Sequence, residues 1–289
     1  MHIRMPRLRS GRRIGLALGG GGARGFAHIP VLELLDELKI RPWRMAGTSM
    51  GAVIGILYAA GRTGAQIRKF VENVVLAPDT LNVEKILSRA RVWKQWMQLL
   101  LPKVGQKGLV RTDGIVRHLY DQAGVSTFEE LKIPMKVVAT DFWTGETVVF
   151  QSGPLLAPIQ ASMAIPVLFE PVVRGDQLLV DGGVSNLVPY DLLQEDCSSV
   201  IAVNVSRGAE RNGRAIPRAW EFGHTVNIMQ QAVLRERMKH APPDFYVQPS
   251  LEGFHVLEFH RYHEILEHAQ PAIDTLRKAL LERFGPPPA

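Results

Sequence analysis

Gly47-Thr48-Ser49-Met50-Gly51 lies between a short apolar run (Trp43, Met45, Ala46) and a helical run from Ala52 to Ala60. A Gly-x-Ser-x-Gly in that setting has the form of a nucleophile elbow: a strand ends, the chain turns sharply, and a helix begins with the serine at the bend. Glycines on either side let strand and helix approach closely, where a side chain would collide. The same five residues can also make a plain tight turn. A serine hydroxyl is a poor nucleophile until a base takes its proton and donors hold the oxyanion, so the reading of Ser49 depends on what the rest of the chain supplies.

Upstream, Ile14 to Leu18 reads as a buried strand running into Gly19-Gly20-Gly21-Gly22-Ala23-Arg24-Gly25. A helical pattern follows, with Phe26, Val31, Leu34, Leu35 and Leu38 on one side. Pro30 either kinks that helix or marks its true start. Gly20-x-Gly22-x-x-Gly25 has dinucleotide-loop spacing, but such a site also needs an acid roughly twenty residues on. Ile40 to Ala46 contains none, and the loop lacks the Gly-Lys-Ser/Thr of a P-loop. Consecutive glycines at a helix N-terminus can instead point several N–H groups into one anion-holding concavity. If the first two strands are neighbours, this loop and the elbow share the carboxyl edge of the sheet, where open α/β sheets bind ligands. Gly20, Gly21 and Gly22 are then candidate oxyanion donors. Arg24 adds positive potential, braces the loop, or makes a structural salt bridge.

The base is the harder choice. Nine histidines are present, but a Ser-His-Asp hydrolase places its elbow after several strands, and here only one strand precedes that of Ser49. His224, His240, His255, His260, His263 and His268 fall in the C-terminal third and read as solvated or interfacial. His28, close behind the glycine loop, is expected to pack. The better candidate is Asp181 in Asp181-Gly182-Gly183, delivered to a sheet edge by the strand Leu178 to Val180. A simple turn aspartate would look the same.

Strands and helices alternate along the chain. Met135 to Phe142 and Thr147 to Phe150 read as strands joined by a turn, and Pro154 opens a helix reaching Met163. Val200 to Val205 is another buried strand and Phe245 to Val247 a last one. Helices are expected over Ala65 to Val75, Ala219 to Lys239 and Ile265 to Arg283. This is the pattern of a three-layer α/β/α sandwich around a central, mostly parallel sheet. A basic arm (residues 1–13), a catalytic domain (14–194) and a C-terminal extension packed on the same domain (195–289) are expected. From Ser206 onward the chain should add one edge strand and covering helices, and no chemistry.

With 289 residues, 46% hydrophobic and 21% charged, the chain can bury a sizeable core. No apolar run approaches the roughly 18 residues that span a bilayer. The lone Cys197 excludes an internal disulfide framework and reads as structural. The net charge of +6 leans on Arg4, Arg7, Arg9, Arg12 and Arg13. That arm is either a solvated tail or an attraction to anionic surfaces. Ile14 to Leu18 is too short for the apolar region of an export signal, so a cytoplasmic protein in peripheral contact with membrane is expected. Residues 85–111 carry seven bases and no acid, with Trp93 and Trp96 among them. They read either as an interfacial membrane contact or as an amphipathic helix packed on the core, and a lid satisfies both.

Four motifs in register resemble the patatin-like phospholipases, especially bacterial members related to the neuropathy target esterase catalytic domain. They are Gly20-Gly21-Gly22-Ala23-Arg24-Gly25, Gly47-Thr48-Ser49-Met50-Gly51, Ala161-Ser162-Met163-Ala164-Ile165-Pro166-Val167-Leu168-Phe169-Glu170-Pro171, and Asp181-Gly182-Gly183. The likeness covers about Ile14 to Gln194. It implies a Ser49–Asp181 dyad without a catalytic histidine, a glycine-loop oxyanion hole, and hydrolysis of lipid or lysophospholipid acyl esters through an acyl-enzyme. No metal, cofactor or nucleic acid is implied. Gly19 stands where plant-type members carry an acid, and Pro30 where a glycine is more usual. A short-chain carboxylesterase or thioesterase on the same dyad, or a non-catalytic regulatory protein of the same fold, are the alternatives.

Overall fold

The computed structural model describes residues 13–76, 124–166, 168–206 and 222–287. The arm up to Arg12 and the basic stretch 85–111 lie outside these residues. Five strands, β1 (Ile14–Leu18), β2 (Arg44–Thr48), β3 (Met135–Asp141), β7 (Ser199–Val203) and β8 (Phe245–Val247), pair in parallel in the order β3-β2-β1-β7-β8. Three more, β4 (Thr147–Phe150), β5 (Val172–Arg174) and β6 (Gln177–Asp181), complete the sheet through antiparallel pairs. The central strands read as continuous apolar runs because both faces are covered. Leu16 and Leu18 join the core on one face, while Ala17 joins a second core with Val188, Tyr190 and Leu234.

The larger core is built by α1 (His28–Glu37), α2 (Met50–Ala59), α3 (Gly64–Leu76), α4 (Leu156–Ser162) and α6 (Tyr262–Phe284). The other face is closed by residues 187–197 and α5 (Phe222–His240). Pro30 is the third residue of α1, where its missing N–H has no intrahelical acceptor to lose, so it marks the helix start and does not kink it. A 3-10 turn, Gly22–Ala27, joins the glycine loop to α1. All ten residues of α2 are buried, as an all-apolar helix requires. It stops at Gly61, whose φ of 104° suits the left-handed position past a helix end.

The C-terminal third is no mere cover. It contributes β7 as well as the edge strand β8, and β7 lies inside the sheet against β1. The buried apolar run Val200 to Val205 falls on β7, and past Ser206 the described residues add one edge strand, β8. No helix among the described residues is long and apolar enough to cross a membrane.

One topological detail prepares the site. β3 carries β4 along one edge, and β2 and β6 in succession along the other. β2 pairs upward to Thr48 opposite Val138, and β6 comes from the opposite direction to place Asp181 opposite Ala139. Two strands more than a hundred residues apart in sequence thus end at adjacent positions on one neighbour.

Candidate active site

Ser49 takes φ 54° and ψ −124° at the start of α2. A side-chain-bearing residue holds such a backbone at a cost of about 1–3 kcal/mol, so the surroundings must impose it. Three hydrogen bonds do so. The Ser49 N–H donates to Ser162 Oγ at 2.8 Å, the Ser49 carbonyl accepts from the Ala52 N–H at 2.9 Å, and Thr48 Oγ1 donates to the Asn186 carbonyl at 2.9 Å. The glycines contribute by omission. A Cβ on Gly47 would sit 2.7 Å from Ala52 Cα, and one on Gly51 would land on the Leu18 carbonyl oxygen.

Asp181 ends β6 and is as buried as Ser49, each 6% exposed. Burial pushes its carboxyl up to about 6, because low polarity disfavours the charged form. Hydrogen bonds from the Ser49 hydroxyl and the Gly183 N–H pull it partly back, the latter reaching Oδ1 at 2.7 Å. The Asp181 backbone is fixed too: its N–H donates to the Ala164 carbonyl at 2.9 Å, and its carbonyl accepts from Thr140 Oγ1 at 3.1 Å. A Cβ on Gly182 would land on the Val138 carbonyl oxygen, so this turn can press against β3 only as glycine. The end of α4 and the turn after it therefore hold both residues, Ser49 through Ser162 and Asp181 through Ala164. Sequence reasoning quoted this segment as a motif without giving it a task. A serine inside Ala161-Ser162-Met163-Ala164 was the available signal, since a buried hydroxyl seeks a partner.

The glycine loop lies against the elbow: a Cβ on Gly20 would touch Ser49 Cβ at 3.4 Å. Its amides divide differently from the expected three-donor set. The Gly20 N–H donates to the Leu187 carbonyl at 3.0 Å and is committed there, whereas the Gly21 and Gly22 N–H groups have no acceptor among the described residues. Gly22 sits at φ 57°, and a Cβ there would strike the Val256 carbonyl. A Cβ on Gly21 would lie 2.8 Å from Val205 Cγ2. Arg24 is buried and donates from Nε to the Gly21 carbonyl at 3.3 Å, so it braces the loop. Carbonyl and N–H point oppositely across a trans peptide; by holding the Gly21 oxygen, Arg24 sets the direction of the Gly22 N–H. Gly25 leaves room for Met50, whose side chain fills the space of a Cβ there.

His28 turns to the glycine loop. It is fully buried, its Nε2 lies 2.8 Å from the Gly19 carbonyl oxygen, and burial pushes its pKa down to about 4. Among the described residues no cluster of His, Cys, Asp and Glu could hold a metal. Cys197 packs at the edge of the second core.

A family model, "Patatin-like phospholipase", matches residues 16–193. Among curated relatives, the NTE family protein Rv1063c of Mycobacterium tuberculosis is 38% identical over 211 residues, covering 70% of this chain and 54% of its own length. Lysophospholipase NTE1 of Saccharomyces cerevisiae is 27% identical over 290 residues, 91% of this chain and 16% of its own. The chain thus spans about half of the mycobacterial relative and a small part of the yeast one. Among solved structures, VipD from Legionella pneumophila matches at TM-score 0.45 and 14% identity, over 91% of this chain and 67% of its own.

Proposed function

The chain belongs to the patatin-like phospholipase family, and from that premise we propose that it is a serine lipid acyl hydrolase acting through an acyl-enzyme on Ser49. The observation that carries the proposal is the meeting of the Ser49 elbow and Asp181 at successive positions along β3, both side chains buried and the carboxylate's affinity for protons raised. Asp181 takes the Ser49 proton as Oγ attacks the ester carbonyl carbon. The Gly21 and Gly22 N–H groups receive the oxyanion, and the positive end of α2 adds to the field. Collapse expels the alcohol, which leaves with the proton from Asp181. Water then gives a proton to Asp181, attacks the acyl carbon and frees the acid, and Ser49 regains its hydrogen. A positioned base contributes on the order of 10²–10⁴ in rate. With a carboxyl pKa of about 6, Asp181 is a stronger base than a solvated aspartate and is still mostly ionised at neutral pH.

The name of the yeast relative makes lysophospholipids the first substrates to test. A fluorophosphonate should label the wild-type chain, and Ser49→Ala should abolish both labelling and turnover; labelling that survives in Ser49→Ala removes the nucleophile assignment. Long-chain lysophospholipid should be turned over faster than a butyryl ester. Turnover confined to the short ester would leave a soluble esterase on the same dyad, and a folded chain that neither labels nor turns over would leave a non-catalytic one.

A further inference from the structure

We propose that His28 is a positioning residue that locks the first peptide of the glycine loop and so holds the Gly21 and Gly22 amides in place for the oxyanion; the proposal rests on the reading of Ser49 given above. A carbonyl oxygen can only accept, so the His28 Nε2 at 2.8 Å from Gly19 O is the donor, and the ring is the Nε2–H tautomer. The other nitrogen, Nδ1, is buried with no partner. An orphaned buried acceptor is destabilising, and a leucine or methionine here would only exchange it for another, the Gly19 oxygen left without its donor. What the imidazole alone supplies is the hydrogen bond to Gly19.

That hydrogen bond is one side of a clamp. The Gly19–Gly20 peptide has its oxygen held by His28 and its N–H held by the Leu187 carbonyl at 3.0 Å, while the Gly19 N–H is tied to the Val203 carbonyl at 2.9 Å. Beyond this fixed peptide lie the two unclaimed amides, and beyond them Arg24 holds the Gly21 oxygen at 3.3 Å and the Val256 carbonyl holds the Ala23 N–H at 2.8 Å. Four consecutive glycines have more backbone freedom to lose than any other run. Oxyanion donors act only if they are oriented before the charge appears. His28, the first residue of α1, ties the loop entrance to the same helix that follows its exit.

The test uses the full chain and a fluorophosphonate, whose phosphoryl oxygen takes the oxyanion position. His28→Leu removes the donor at similar volume, and His28→Gln offers an amide N–H where Nε2 stood. His28→Leu should lower the maximal labelling rate about 10- to 100-fold, less than the loss of a whole donor. The concentration for half-maximal rate should stay within about twofold; the melting temperature should fall by a few degrees, because the Gly19 oxygen loses its donor, with the chain still fully folded at the assay temperature; His28→Gln should recover most of the rate. Labelling of His28→Leu at the wild-type rate, equal slowing in both variants, or slowing that tracks lost folded fraction would overturn the proposal. Absence of wild-type labelling, or labelling that survives Ser49→Ala, would instead overturn the functional reading. Amide hydrogen exchange over Gly19–Phe26 then still decides: it should quicken in His28→Leu and return toward wild type in His28→Gln, and an unchanged rate rejects the clamp.

Discussion

The elbow and the glycine loop meet at the same edge of the sheet, yet they are held in different ways. Around Ser49 close backbone packing sets the shape, and Ser162 and Asn186 pin it by hydrogen bonds from far along the chain. Gly47 and Gly51 bring β2, α2 and the end of β1 so close that a Cβ at either would enter backbone atoms. The loop has little local definition of its own. Its shape comes from Leu187, Val203, Val205 and Val256 far along the chain, with His28 and Arg24 reaching back onto it. The elbow should break as a fold element, whereas the loop should loosen as a catalytic one. Asp181 stands between these cases: its place is fixed by β6, and its chemistry by burial.

The largest change is expected at Asp181. Asp181→Asn keeps an acceptor for the Gly183 N–H but removes the proposed base, so turnover should fall on the order of 10²–10⁴. Stability should move the other way. Burial raises this carboxyl from 3.8 to about 6, so the folded chain binds the proton more tightly than the unfolded one. Stability from the group is fully present below pH 3.8 and is lost as pH rises through about 6, by roughly 3 kcal/mol at most. Urea unfolding should therefore find Asp181→Asn more stable than wild type at pH 8 and equal to it near pH 4. The wild-type acylation rate should fall with acid below about pH 6, and a limb near 4 would put a solvated carboxylate in charge.

Gly51→Ala comes next and tests the elbow as a fold element. Its Cβ would meet the Leu18 backbone oxygen, which has no rotamer to give, so a loss of about 3 kcal/mol or more is expected, read as a large fall in melting temperature. Ser162→Ala should be milder. It leaves the Ser49 N–H without its acceptor, costing about 1–3 kcal/mol, and it should slow fluorophosphonate labelling as Ser49 relaxes from its positive φ. Equal labelling in Ser162→Ala would show that the elbow holds itself. Gly20→Ala should be the smallest in stability, since its Cβ would meet Ser49 Cβ at 3.4 Å and Thr48 Cγ2 at 3.5 Å, ordinary contacts. Its melting temperature should be near wild type, and only the labelling rate should drop. A Gly20→Ala chain that melts like Gly51→Ala would erase the distinction between the two regions.

Elements with one dominant pattern were legible in the residues. β1 spans Ile14–Leu18 and β8 spans Phe245–Val247, as the apolar runs indicate, and Gly61 closes α2 where the helical pattern stops. What escaped were features that need a neighbour to exist. β5 (Val172–Arg174) is too short to show a period. The meeting of Ser49 and Asp181 follows from two strands sharing one edge of β3 in succession, which no spacing encodes.

At the site, the residues alone singled out Ser49, Asp181 and the glycines, because an elbow and a tight carboxylate turn require those residue types at those positions. The division of labour among the amides was decided by packing. Gly20 and Gly21 are the same residue in the same run, and only the Leu187 carbonyl makes the first unavailable while the second is left open. Identical backbone groups carry identical sequence signals. What separates them is which acceptor the folded chain brings within hydrogen-bond reach.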